Sequence, residues 1–205
     1  MISRTAITLG LTAILMASFS TTAAPSTHPS VSVGFSPGGT SLTTVLSVIE
    51  QAQTSVDVAA YSFTSDPIAM ALVKARRRGV NVRVMADKKG NMHVSEVSDL
   101  ARQKVPVRLN DNYAIMHNKF MIIDNKTLET GSLNYTSSAV SRNAENVLIL
   151  ANMPEVASRY SQEFERLWNE SAPLDLNTAT DAPAHTARYS NTRRESASSI
   201  FHLFH

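Results

Sequence analysis

His117-Asn118-Lys119-Phe120-Met121-Ile122-Ile123-Asp124 places an imidazole and an ammonium two residues apart at the head of an apolar run. The run reads as a β-strand, and residues two apart in a strand share a face. His117 and Lys119 therefore point the same way, and one phosphate bridges them. Asp124 stands an odd number of residues from Lys119, so a regular strand turns it to the other face. It also precedes the Asn125-Lys126 turn, where aspartate commonly caps local amides. This parity makes Asp124 a structural residue and not a third reacting group. Gly131-Ser132-Leu133-Asn134 and Asn143-Ala144-Glu145 follow. Ser132 and Asn134 share a face by the same rule, as do Asn143 and Glu145.

These groups suit phosphate chemistry that uses no metal. Neutral His117 is a nucleophile for phosphorus, giving a phosphohistidine. Lys119 supplies fixed positive charge against the non-bridging oxygens. Ser132 and Asn134 donate hydrogen bonds to the same oxygens. Glu145 accepts from the second ring nitrogen of His117, which fixes the tautomer and raises the basicity of the ring. A lone histidine in an apolar strand is usually structural, and a lysine there usually snorkels from an edge. A His-x-Lys-x4-Asp string alone arises by chance in on the order of one chain in a hundred of this length. The Gly-Ser-x-Asn and Asn-x-Glu strings beyond it make chance a poor account.

Outward from that stretch, strand and helix patterns alternate. Residues 31–35 alternate as a strand, which Pro37-Gly38-Gly39 breaks. Leu42, Val45, Leu46, Ile49 and Ala52 recur at helical spacing. Residues 56–61 read as a buried strand. Asp66-Pro67 fits a helix N-terminus; that helix runs to Arg78 and Gly79 closes it. A strand over 80–86, a helix over 94–103 and a strand over 105–109 come next. Residues 114–124 and 128–130 form a hairpin about Asn125-Lys126. A strand over 146–150 and a helix over 154–168 complete the pattern. The expected fold class is α/β, with a central mixed, largely parallel β-sheet flanked by helices on both faces.

Composition bounds the rest. The chain has 205 residues, 43% apolar and 18% charged, with a formal net charge of +2. That is ordinary for one globular domain and announces no polyanion binder. Any such site must come from local clusters, such as Arg76-Arg77-Arg78 or Lys88-Lys89, for which a solvated surface is the default. The chain has no cysteine, which excludes disulfides, thiolate metal sites and a cysteine nucleophile. Arg4, the apolar run over 7–19 and the small residues Thr22-Ala23-Ala24 read as a secretory signal peptide over 1–24, removed on export. The expected location is therefore the periplasm or the outside of the cell. Residues 25–30 form a linker, 31–170 the catalytic domain, and 171–205 a disordered tail rich in alanine, serine and threonine.

His117-x-Lys119-x4-Asp124 with Gly131-Ser132-x-Asn134 resembles the signature of the phospholipase D superfamily. Length, spacing and export signal are most similar to its small bacterial single-motif endonucleases. The resemblance covers roughly residues 31–170. It implies an α/β sandwich-like fold and phosphodiester cleavage through a covalent phosphohistidine, with no metal and no cofactor. It places His117, Lys119, Ser132 and Asn134 in the phosphate pocket, and makes Glu145 the carboxylate that orients the histidine. Asp124 and Gly131 become structural motif residues.

One motif raises a problem of its own. The chemistry needs a nucleophile on one side of phosphorus and an acid on the other to protonate the leaving oxygen. In the family two histidines do this. Here His28, His93, His185, His202 and His205 all lack the lysine and aspartate that follow His117. The expected second imidazole is His117 of another copy, in a homodimer with the site at the two-fold interface. The expected function is a sequence-non-specific endonuclease acting on DNA, and RNA as a second nucleic acid substrate. The alternatives are a hydrolase of lipid phosphodiesters and a non-catalytic phosphate-binding protein.

Overall fold

The computed structural model describes residues 28–91 and 95–176. The expected signal peptide, the linker up to residue 27 and the tail beyond residue 176 lie outside the described residues. So do His93, His185, His202 and His205.

Among the described residues the elements are, in chain order, β1 Ser30–Ser36, α1 Thr40–Gln51, β2 Ser55–Ala60, α2 Asp66–Arg77, β3 Asn81–Asp87, α3 Lys88–Asn91, α4 Ser95–Arg102, β4 Val107–Asn110, β5 Phe120–Ile123, β6 Thr127–Gly131, α5 Ser137–Ser141, β7 Glu145–Ala151, α6 Pro154–Glu170 and β8 Ala172–Pro173. They build one eight-stranded sheet in the order β1-β7-β6-β5-β2-β3-β4-β8. The sheet is mixed, as its alternating pattern requires. Its parallel part is the run β2-β3-β4; the other neighbours pair antiparallel. The expectation of a largely parallel sheet is corrected to that extent. Parallel neighbours need a crossover helix, which α2 and α4 supply. The tight turn after β5 can only reverse the chain.

The central strands show their two faces to two cores. Val56, Val58 and Ala60 of β2 and Met121 and Ile123 of β5 join Val45, Ile49, Ile68, Leu72 and Leu100 of the helices α1, α2 and α4. Ala59, Phe120, Ile122 and Leu128 face the other way, onto Ala157, Phe164 and Leu167 of α6. A partly buried arginine fixes α6 on this second face. Arg83 of β3 donates to Asp57 of β2 (2.7 and 2.9 Å) and to Glu165 of α6 (2.6 Å). Its guanidinium also lies 4.9 Å from the Phe164 ring centroid and 5.3 Å from that of Trp168.

Two expectations about boundaries change. β5 begins at Phe120, not at residue 114. Its neighbours end within one residue of this level, since Phe120 pairs with Ala59 and Thr130 while β2 stops at Ala60 and β6 at Gly131. Residues before Phe120 thus have no strand to bond, and 111–119 form an irregular approach. The fold also runs past residue 170. β8 pairs with β4, and the buried Ser171 hydroxyl accepts from Asn110 and donates to the Leu167 carbonyl. The first residues of the expected tail are therefore part of the sheet. α3, α5 and β8 are too short to leave a periodic signature.

Candidate active site

The site gathers at one end of the sheet, outside the carboxyl ends of the parallel strands, where open α/β sheets place ligands. β2 delivers Tyr61 there and β3 delivers Asp87. The approach to β5 carries His117 and Lys119. The end of β6 gives Gly131, Ser132 and Asn134, and the start of β7 gives Glu145.

The approach to β5 has no ladder hydrogen bonds, so side chains hold it. The buried Asp87 carboxylate accepts from the amides of Met116 and Gly90, each at 2.7 Å. Buried Asn91 donates to the carbonyls of Tyr61 (2.7 Å) and Asp87 (2.8 Å) and accepts from the Phe63 amide (2.9 Å). Together they fix the backbone on both sides of Ser62, just after Tyr61, and the residue before His117. The rings of Tyr61 and His117 are 4.6 Å apart at their centroids, and the Lys119 ammonium lies 5.5 Å from the Tyr61 centroid. Tyr61 is therefore a shared wall for both groups.

Lys119 donates to the His117 carbonyl (2.8 Å), and Thr130 donates its hydroxyl to the Lys119 carbonyl (3.2 Å). Burial lowers the Lys119 pKa from its ordinary value, against the field of Glu145, which raises it. The site thus holds an ammonium that is partly stripped of water, which strengthens its pull on an anion.

Glu145 is differently placed from the expectation. Its oxygens accept from Ser132 Oγ (2.6 Å) and Asn143 Nδ2 (3.1 Å). Among the described residues it makes no hydrogen bond to the His117 ring, which packs on Tyr61 instead. Ser132 Oγ also accepts from the Asn146 amide at 3.1 Å, so this hydroxyl ties β6 to β7. Gly131 is required for that closeness, since a Cβ there would collide with the Asn146 carbonyl. Asn134 is half-buried, and its fully buried Oδ1 has no hydrogen-bond partner among the described residues. An unsatisfied polar atom of this kind calls for a functional account.

Asp124 lies at the opposite end of β5, away from His117. Its carboxylate accepts from the amides of Gln53, Thr54 and Ser55 and from the Thr54 hydroxyl, at 2.7 to 3.1 Å. Burial alone would raise its pKa, but the amides of Thr54, Ser55 and Gln53 outweigh this and lower it.

A cleft of about 410 Å³ opens over His117, Lys119 and Thr130, and α6 closes its far side with Arg159, Tyr160 and Glu163. The residue spacing gave no notice of Tyr61 or of these three. An aromatic residue at the end of a parallel strand was the one available signal for Tyr61. Nothing local in the helix pattern marks Arg159. Among the described residues no three histidine, cysteine, aspartate or glutamate side chains converge to hold a metal ion, and no helix is long and apolar enough to cross a membrane.

A mixed sheet with this site at its carboxyl end defines a class, and comparison with known proteins agrees. The chain belongs to the phospholipase D superfamily, in the family described as cardiolipin synthase, PLD-like domain, which residues 45–168 match. It is similar to the crystal structure of Nuc from Salmonella typhimurium, described as a phospholipase D family member. The two share 39% identity and a TM-score of 0.70, over 72% of this chain and 99% of that one. It is 36% identical over 137 residues to the mitochondrial cardiolipin hydrolase of Canis lupus familiaris, covering 66% of this chain and 54% of the relative. It is also 36% identical over 135 residues to the phospholipase D of Rickettsia conorii, covering 65% and 67%. The chain thus spans about half the length of the cardiolipin hydrolase it matches.

Proposed function

We propose that this protein is an exported, metal-independent phosphodiesterase that cleaves DNA without sequence preference, through a phosphohistidine on His117. The observation that carries the reading is the cleft in which His117 and the partly desolvated Lys119 stand together against Tyr61. An imidazole nitrogen of His117 attacks phosphorus and forms a P–N bond. The P–O ester bond breaks, and the leaving oxygen takes a proton from the imidazolium of a second His117. That second ring, now neutral, takes a proton from water as the water oxygen attacks phosphorus and the P–N bond breaks. Lys119 and Asn134 hold the non-bridging oxygens throughout, and Glu145 keeps the Lys119 ammonium charged.

The second imidazole comes from another copy of the chain. A patch beside the cleft supports this. Val31, Val33 and Phe35 of the edge strand β1 are 56, 52 and 58% exposed. They pair with Leu150, Leu148 and Asn146 of β7. They lie on the face that α6 covers over β4, β5 and β6, and they face solvent. Leu148 in turn pairs with Thr130, which lines the cleft. An apolar strip that continues into an incomplete site suits a two-fold contact.

Nucleic acid is the preferred substrate because non-specific cleavage needs only phosphate contacts. A lipid phosphodiester is the second reading. It is favoured by relatives that are named cardiolipin hydrolase and phospholipase D. The test is incubation of purified protein with plasmid DNA, cardiolipin and phosphatidylcholine in excess EDTA. Nicking of the plasmid that disappears in His117→Ala is the expected result. Headgroup release without nicking would establish the lipid reading instead, and nicking retained by His117→Ala would remove His117 from the mechanism.

A further inference from the structure

We propose that Arg159 forms a second anion subsite, which seats the phosphate next to the one under attack in substrates that carry two or more phosphodiesters. The inference rests on the phosphodiesterase reading above and names the kind of substrate the cleft prefers.

Three observations lead to it. The first is room. A cleft of about 410 Å³ holds about a dozen waters at roughly 30 Å³ each, far more than one phosphodiester group fills. The second is that Lys119 is already committed. Its single ammonium reaches the His117 carbonyl and stands against the Tyr61 ring beside the nucleophile. A second phosphate in the same cleft needs a second cation, and Arg159 of α6 lines the wall opposite.

The third observation is that the helix keeps this guanidinium from its natural partner. Glu163 stands four residues along α6 from Arg159, the spacing at which oppositely charged side chains pair on a helix. Yet among the described residues Arg159 makes no ion pair. Both oxygens of Glu163 accept from Arg166, at 2.7 and 2.9 Å, and that contact holds the Glu163 carboxyl below its ordinary pKa. Arg166 is itself fixed from the far side, donating to Tyr113 Oη and Glu170 Oε1, each at 2.7 Å. The Tyr113–Arg166–Glu170 cluster therefore draws off the acid of the cleft. Arg159 is exposed there and, with no ion pair to Glu163 or to Glu155 among the described residues, is free to take a planar, bidentate grip on a phosphate.

Two chemistries offer adjacent phosphodiesters, a polynucleotide strand and a diphosphatidyl lipid such as cardiolipin. Phosphatidylcholine and bis(p-nitrophenyl) phosphate offer one. The discriminating quantity is the ratio of kcat/KM for a two-phosphate substrate to that for a one-phosphate substrate of the same kind. Arg159→Ala is expected to lower it roughly tenfold. It is also expected to reduce the slope of log affinity against log salt for an oligonucleotide by about 1. Arg166→Met frees Glu163 to pair with Arg159 and gives a similar loss. Adding Glu163→Gln to Arg166→Met restores the ratio.

Oligonucleotide binding is also measured by fluorescence anisotropy in the His117→Ala background, where no turnover is needed. The subsite is then judged by binding, and the phosphodiesterase reading by turnover of the wild-type protein. A loss confined to the oligonucleotide pair names nucleic acid as the source of the second phosphate. A loss confined to cardiolipin against phosphatidylcholine names lipid, and a loss in both names the shared chemistry. Unchanged ratios with unchanged binding would overturn the proposal. So would Arg166→Met losses that Glu163→Gln does not repair.

Discussion

Ser132 Oγ donates to Glu145 Oε2 across 2.6 Å, so the carboxylate whose field acts on Lys119 is held by the end of the neighbouring strand. Glu145 raises the Lys119 pKa while burial lowers it. Removing the charge with Glu145→Gln leaves burial unopposed, so the Lys119 pKa falls further. Lys119 acts as an ammonium, and its contribution is lost as pH rises through its pKa. The alkaline limb of kcat/KM for bis(p-nitrophenyl) phosphate is expected to move to lower pH in Glu145→Gln. An alkaline limb that stays in place would show that the two groups are not coupled.

Asp124 gives a contrasting expectation. It binds the amides of Gln53, Thr54 and Ser55 far from His117, so Asp124→Ala should lower stability and leave the reaction rate alone. Loss of charge-assisted hydrogen bonds to backbone costs about 2 kcal/mol, read from urea unfolding at pH 7. The folded pKa lies below the ordinary 3.8. The contribution is thus present above pH 3.8 and lost as pH falls through the folded value. Variant and wild type should converge in stability at acid pH. A large drop in kcat with unchanged stability would place Asp124 in the chemistry.

The two cases show what the sequence could carry. Lys119 and Asp124 flank β5 at its two ends, so the length of the strand, and not the parity read from the sequence, separates them; Ser132 and Glu145 meet where β6 and β7 adjoin. Parity did not reach His117, which lies beyond the last rung of β5 and is placed by Asp87 and Tyr61. Those partners come from β2 and β3, distant in sequence, and no local pattern announces them. The Glu145 contact was misjudged for a similar reason. Ser132 and Asn143 reach its oxygens first, which depends on how closely Gly131 lets β6 approach β7.

Glu129 is a buried acid that lies outside the proposed chemistry and predicts a pH dependence of stability. It is 1% exposed and accepts from the Tyr135 hydroxyl at 2.5 Å. Burial pushes its pKa from 4.5 up to about 8, against the Tyr135 hydrogen bond, which lowers it. The folded protein therefore holds a proton on Glu129 that the unfolded chain releases. Bound protons are more numerous in the folded state between pH 4.5 and about 8, so stability falls as pH rises through that window. Glu129→Gln keeps a neutral group of the same shape and should flatten the dependence. The measurement is Tm against pH for both proteins. Parallel curves would mean that Glu129 is ionised in the folded state.

The proposed need for a second imidazole makes the apolar strip on β1 a quantitative test. Phe35 is 58% exposed in the single chain, so Phe35→Asp should cost the isolated fold less than about 1 kcal/mol. At a two-fold contact the same substitution buries a charge against its own copy, and repulsion plus desolvation should separate the copies. Phe35→Asp is expected to sediment as a monomer with an unchanged circular dichroism spectrum, and to lose at least 10²-fold in turnover. Mixing gives the sharper readout. Wild-type protein at fixed concentration is titrated with an excess of His117→Ala, allowing exchange of copies. If each phosphorus needs an imidazole from both copies, every mixed dimer is inactive and activity falls toward zero. If one histidine serves each site alone, activity stays constant however much variant is added. Constancy would leave His117 as a nucleophile whose leaving group is protonated by something else, and would remove the reason for assigning the strip to a second copy.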